Sequence, residues 1–197
     1  LREGITVIIP TIGRVALADT IRSFIYDLTA ADDVIVLADG PSHSARNVAS
    51  SFALGTNTGV RYLERKEPLG HWGHPLRNKA LEHHVETTHV WTIDDDDIAA
   101  LGAIPAMRDH MGDPWTIFRM HFGAGHPASG LTLPNSHQIR WGNIGTPMIF
   151  APWTQARFGH HYSGDLDYAQ ALYSELGEPV WASETIAIIQ PDAVPAA

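Results

Sequence analysis

His89-Val90-Trp91-Thr92-Ile93 followed by Asp94-Asp95-Asp96-Asp97 is the stretch on which the reading of this chain turns. The first five residues are apolar and β-prone, so they read as a buried strand, and the strand ends in four consecutive carboxylates. Two such charges about 5 Å apart repel by about 3 kcal/mol at an effective dielectric of about 20, so a cation belongs beside them. Hard divalent ions such as Mn²⁺ or Mg²⁺ take oxygen ligands, and Mg²⁺ is usually held by one or two carboxylates together with substrate phosphates. A solvated acidic turn or helix start is the competing reading, because carboxylates also favour helix N-termini.

Working outward, the segments before this run alternate strand and helix, the pattern of parallel β-α-β units. Ile5–Ile9 reads as a strand stopped by Pro10, and Val34–Ala38 as a second, ending in the turn Asp39-Gly40-Pro41-Ser42. Between them Ile21, Phe24, Ile25 and Leu28 share one helical face, which predicts a helix from about Val15 to Leu28. A helix over Ser44–Leu54, a short strand at Val60–Leu63 and a loop, Gly70–Pro75, feeding a helix over Leu76–Val85 complete this half. Beyond the aspartates the pattern predicts a helix at 100–111, strands at 115–121 and 146–150, a helix at 164–176 and late strands at 180–181 and 185–189. Phe122–Gly130 reads as a mobile, lid-like loop, and the tail from Pro191 as frayed.

The chain has 197 residues, 44% of them hydrophobic, which suffices for one packed domain. Its net charge of −9 argues against an extensive nucleic-acid or anionic-membrane footprint. The lack of cysteine excludes disulfides, thiolate metal sites and a cysteine nucleophile. With no signal peptide and no apolar run near 18 residues, a cytoplasmic location is the expectation.

In their order along the chain these pieces resemble a family-2 glycosyltransferase of the GT-A fold, from Thr6 to about Ile189. Five motifs carry the resemblance: Val7-Ile8-Ile9-Pro10-Thr11 with Arg14 after it; Asp39-Gly40-Pro41-Ser42; Gly70 with Leu76-Arg77-Asn78; Asp94, Asp96 and Asp97 as an Asp-x-Asp-Asp motif; and Gly142–Pro147 followed by Gly164-Asp165. The last pair stands where the family has Glu-Asp, with glycine replacing the glutamate. The resemblance implies an α/β fold of GT-A type, a Rossmann-like mixed sheet flanked by helices. Residues 1–98 would form the nucleotide-sugar-binding half and 99–197 the acceptor and catalytic half. It implies a metal-dependent, inverting enzyme that moves a sugar from a nucleoside diphosphate, UDP favoured, to an acceptor hydroxyl.

Under that resemblance Pro10, Thr11, Arg14, Asp39, Arg77, Asn78, Asp94 and Asp95 fall on the nucleotide-sugar side. Asp96 and Asp97 are the metal candidates, and Asp165 is the catalytic base with Asp167 as the alternative. Residues i and i+2 of an extended turn point together, which pairs Asp94 with Asp96 and leaves Asp95 read also as a solvent-facing bystander. Asp165 also suits a helix cap. His161, with His160, is a candidate metal or pyrophosphate ligand or else an ordinary surface histidine. His71 and His74 flank Trp72 in a loop that either touches the diphosphate or acceptor or is merely structural. Trp141 and Trp153 are candidates for stacking on sugars or for the core. The acceptor is left open among glycan, lipid, protein and modified nucleobase, recognised by the 123–130 loop, by a partner or across a homo-oligomer. Two alternatives stand beside this reading: a non-catalytic nucleotide-sugar or metal-binding module, and a nucleotidyltransferase, for which Pro10–Arg14 is a poor triphosphate loop.

Overall fold

A computed structural model describes residues 1–56 and 58–190; the tail from Pro191 lies outside them. Four parallel strands lie side by side in the first half. They are β1 (Arg2–Thr11), β2 (Asp33–Ala38), β3 (Gly59–Glu64) and β4 (Thr87–Thr92). Their spatial order is β3-β2-β1-β4. The sheet then continues through strands of mixed direction, β8 (Ile149–Pro152), β6 (Thr116–Phe122), β9 (Val180–Ile189) and the two-residue β5 (Ile98–Ala99), with β7 (Thr132–Leu133) pairing β6. This is the mixed α/β sheet that the resemblance implies.

The sheet is buried on both faces, and the period of two along each strand divides its residues between two cores. Ile5, Val7, Ile9, Val34, Val36, Trp91 and Ile93 pack with α1 (Leu17–Arg22), α2 (His43–Gly55) and α4 (Ala103–Asp109). Ile8, Ile35, Leu37 and Val90 face the other way, onto α3 (His74–His83) and α5 (Gly164–Leu176). Two-sided burial explains why these strands are continuous apolar runs.

Pro10 does not end β1. The Thr11 carbonyl accepts from Asp39 N and the Ile8 carbonyl from Ile93 N, so the intervening Pro10 nitrogen faces the β4 side. Pairing with β4 has already stopped at Ile8–Thr92, so no ladder bond is lost there. The helix expected over 15–28 is also broken. Phe24 leaves the helical path (φ −136°) and sets its ring edge-on to Trp91 at 6.0 Å, while Ser23 Oγ accepts from Ala99 N at 2.9 Å. The tertiary partners of Phe24 and Ser23 override the local helical period. The 122–130 segment is tied down rather than loose: Gly123 N and Gly125 N donate to Ile189 and Gln190, and Gly130 N donates to Phe122.

β1 connects to β2 on one side and has β4 on the other. A crevice therefore opens at the carboxyl ends of β1 and β4, the place where open α/β sheets bind ligands. Thr11 ends one of these strands, and Asp94–Asp97 follow the other.

Candidate active site

Two adjoining cavities occupy that crevice. The smaller, about 270 Å³, is lined by Pro10, Thr11, Arg14, Asp39 and Asp94–Asp96 among others. The larger, about 410 Å³, is lined by His74, Arg77, Asp94, Asp97, Trp141 and Asp165 among others. Asp94 and Trp72 line both, so the acidic tip of β4 stands at the junction.

Two arginines organise this tip. Arg77, 1% exposed on α3, pairs with Asp94 and donates to Thr92 Oγ1 at 2.9 Å and to the Trp72 carbonyl at 2.8 Å. It lines the larger cavity, but these bonds make it the strut between α3, β4 and the 70–73 loop. In that loop Trp72 is held at φ 53°, uncommon for so bulky a residue, and its indole lies edge-on to Tyr162 at 5.6 Å. Gly73, at φ 74°, lets the loop sit on β1, since a Cβ there would stand 2.9 Å from the Pro10 side chain. Arg14 reaches back to Asp95 at 2.8 Å and Asp96 at 3.0 Å.

Asp95 is not solvent-facing. It is 2% exposed and accepts from the Thr11 hydroxyl at 2.5 Å, Ile12 N at 3.3 Å and Arg14. It thereby locks the end of β1 to the end of β4. Asp39 is fixed by Leu69 N at 2.6 Å and Gly70 N at 2.8 Å, and its carboxylate lines the smaller cavity. Asn78 is not brought to either cavity. Its amide donates to the Phe158 carbonyl and accepts from Phe158 N, both at 2.8 Å, bracing α3 against the segment before α5.

Burial raises the Asp96 and Asp165 carboxyls above the usual carboxylate range. Burial, with repulsion from Asp94, pushes Asp97 up to about 8. Its Oδ1 accepts from Gln190 N at 2.9 Å, and its side chain turns to the larger cavity while Asp96 turns to the smaller. Among the described residues no group of three or more histidines, cysteines or carboxylates is arranged to hold a metal by itself. A pair of carboxylates at a cavity junction fits a hard divalent ion whose remaining ligands come from a diphosphate.

Asp165, in the first turn of α5, lines the larger cavity, with its Oδ1 accepting Leu166 N at 2.8 Å. Asp167 does not line the cavity, and pairs at 2.7 Å with His161, whose other nitrogen meets Ser163 Oγ at 3.1 Å. His161 is thus held at the start of α5 and lines neither cavity. Trp141 is 69% exposed and lines the larger cavity, whereas Trp153 donates to the Leu81 carbonyl and packs on the core. Gly164, the departure from the Glu-Asp pattern, has no room for any side chain: a Cβ would stand 2.1 Å from the Gly159 carbonyl oxygen and 2.8 Å from His74 Cδ2. Gly164 is 90 residues from His74 in sequence, so their close fit appears in no local pattern.

A family model described as "Glycosyl transferase family 2" matches residues 6–158. No curated protein matches the chain. Among solved structures, Staphylococcus aureus TarS in complex with UDP-GlcNAc is similar at 16% identity and TM-score 0.74, over 93% of this chain and 57% of that one. The mannosyltransferase PcManGT from Pyrobaculum calidifontis, in complex with GDP-Man and Mn²⁺, is similar at 16% identity and TM-score 0.68, over 99% of this chain and 58% of that one. Glucosyl-3-phosphoglycerate synthase from Mycobacterium tuberculosis, with Mn²⁺, UDP and glucosyl-3-phosphoglycerate, is similar at 15% identity and TM-score 0.65, over 94% of this chain and 71% of that one. The chain thus spans a little under three-fifths of the TarS and PcManGT structures. No helix among the described residues is long and apolar enough to cross a membrane.

Proposed function

The chain belongs to glycosyl transferase family 2, and from that premise we propose that it transfers a sugar from a nucleoside diphosphate to an acceptor hydroxyl, with inversion at the anomeric carbon. One observation carries the reading: Asp165 and the acidic tip of β4 line the same cavity, and that tip also lines the neighbouring one. The smaller cavity takes the nucleoside, against Pro10, Thr11, Arg14 and Asp39. A uracil imide N–H suits the Asp39 carboxylate as acceptor, which favours UDP. The sugar then reaches past Asp94 into the larger cavity, where Trp141 offers an exposed aromatic face.

In the transfer step the acceptor oxygen bonds to the anomeric carbon as the bond from that carbon to the diphosphate oxygen breaks. The acceptor proton passes to Asp165, and the nucleoside diphosphate leaves. Asp165 must be ionised to take that proton, and a positioned carboxylate of this kind contributes about 10² to 10⁴ in rate. Asp94 and Asp96 are the residues that would hold Mn²⁺ or Mg²⁺. The ion would stabilise the charge developing on the leaving diphosphate as a Lewis acid. Arg77 keeps Asp94 in place, and Asp95 keeps Thr11 and Arg14 in place. The PcManGT and glucosyl-3-phosphoglycerate synthase complexes, with nucleotide and Mn²⁺ bound together, support a donor that arrives with its metal.

The test is nucleotide release from a panel of UDP- and GDP-sugars with Mn²⁺, comparing the parent chain with Asp96→Ala. The expected result is release by the parent and loss of metal-dependent donor binding in the variant. Donor binding that is unchanged by Asp96→Ala and by chelation would refute the metal-dependent reading.

A further inference from the structure

The lining of the larger cavity is divided by element. Its charged and titratable groups, Asp94, Asp97, His74, Arg77 and Asp165, come from the tip of β4, from α3 and from α5. Met120 and Phe122 on β6, Leu131 and Leu133 at β7 and Ile189 at the end of β9 form an apolar wall. None of these five side chains donates a hydrogen bond, and only the weak thioether of Met120 accepts one. Trp72, Leu131, Trp141 and Tyr162, which also line the cavity, are exposed. Trp72 bears the strain of its φ of 53° without being buried in return, so its place is not explained by packing. Exposed apolar side chains gathered about a cavity mark a surface that binds a ligand.

Among the described residues the cavity offers a ligand no free positive charge. Arg77 and His74 are its only basic lining residues. Arg77 is engaged by Asp94, by Thr92 Oγ1 and by the Trp72 carbonyl. His74 is buried and neutral, because burial pulls its pKa down to about 4. A phosphate or carboxylate on the acceptor would therefore approach three carboxyl groups and find no partner. A sugar ring laid on the β6–β7–β9 wall would bury hydroxyls that the wall cannot satisfy, which is also unfavourable. Only an uncharged, apolar body suits it.

We propose that the acceptor is an uncharged alcohol with an apolar carbon skeleton, and that this skeleton lies on the ends of β6, β7 and β9 while its hydroxyl meets Asp165. The proposal rests on the glycosyltransferase reading above. The polar side of the cavity is then left to the donor sugar, and the exposed side chains Leu131 and Tyr162 cover the skeleton of the acceptor from the mouth. Aromatic and aliphatic skeletons share this chemistry.

The test titrates small alcohols into the whole chain saturated with UDP and Mg²⁺, with Kd read by ligand-observed NMR. Benzyl alcohol is matched with 4-(hydroxymethyl)benzoate and 1-hexanol with 6-hydroxyhexanoate, so that each pair differs by a carboxylate, and methyl glucoside stands for a glycan. The neutral member of each pair should bind about tenfold more tightly than its anion, and at least one apolar alcohol about tenfold more tightly than methyl glucoside. Tighter binding of benzyl alcohol assigns an aromatic skeleton, and of hexanol an aliphatic one. Leu131→Arg, a change at an exposed side chain, puts a cation on the wall. It should weaken the neutral alcohols and reverse the order within each pair, with UDP affinity within about twofold of the parent.

An anion that binds the parent as tightly as its neutral partner overturns the proposal, and so does methyl glucoside ahead of both apolar alcohols. Alcohol binding that Leu131→Arg leaves unchanged also overturns it, since the alcohol would then sit on another surface. Should Leu131→Arg not melt cooperatively, Tyr162→Arg makes the same comparison in the same cavity. A parent chain that binds no UDP and releases no nucleotide from any sugar donor refutes the glycosyltransferase reading itself, and this proposal with it.

Discussion

Asp95→Ala should cost about 3 kcal/mol of unfolding free energy and Asp95→Asn about 1 kcal/mol. Asp95 Oδ2 accepts from the Thr11 hydroxyl and Ile12 N, while Oδ1 faces Arg14. Alanine strands a hydroxyl that is 2% exposed and a partly covered amide, at about 1 to 3 kcal/mol for each fully buried group. The Arg14 pair adds little, because the arginine side chain is 46% exposed and keeps Asp96 as a partner. Asparagine turned with its oxygen toward Thr11 preserves both bonds and loses only the screened pair, with an unfavourable amide contact to Arg14. For a domain of this size the thermal midpoint should fall by roughly 6 to 12 °C for alanine and 2 to 4 °C for asparagine. Urea unfolding gives the free energies directly. An alanine variant within about 0.5 kcal/mol of the parent, the level of an ordinary surface change, would refute the claim that Asp95 ties β1 to β4. An asparagine variant as unstable as alanine would mean that the Arg14 pair carries the effect.

Asp165→Asn should leave UDP-sugar affinity within about twofold and lower transfer by about 10² to 10⁴. Burial raises this carboxyl, and the base works ionised, so kcat should fall with acid through a limb above the ordinary value of 3.8; a limb below that value would contradict the assignment. Asp97 has its folded pKa raised from 3.8 to about 8, so the stability it contributes as a neutral group is lost as pH rises through that window. With chelator present, Asp97→Asn should therefore melt above the parent at pH 8 and match it near pH 4, as read by calorimetry. Asn78→Ala should cost about 2 kcal/mol by breaking both bonds to Phe158, with UDP affinity unchanged in titration.

The parallel half of the fold was legible because its strands are buried on both faces. Ile5–Ile9, Val34–Ala38 and His89–Ile93 each lie within or beside an observed strand, and Gly164–Leu176 is a helix with the bounds that its apolar face predicts. What failed was set by partners distant in sequence. Phe24 leaves the helix to meet Trp91, and Pro10 stays in its strand because β4 has already ended beside it. At the site the aspartate run marked the place, but alternation along an extended turn misplaced Asp95, which the end of β1 draws inward. Asn78 sits next to Arg77 in sequence, yet the helical turn sends the two side chains to different work. His161 sits against the turn that carries Asp165, but Asp167 and Ser163 hold its ring and it lines neither cavity.

A structure of the chain with a UDP-sugar and Mn²⁺ bound tests the central claim most directly. The uridine is expected in the cavity of Thr11, Arg14 and Asp39, the ion at Asp94 and Asp96, and the sugar in the larger cavity facing Asp165. A nucleotide bound elsewhere, or a sugar whose anomeric carbon points away from Asp165, would contradict it.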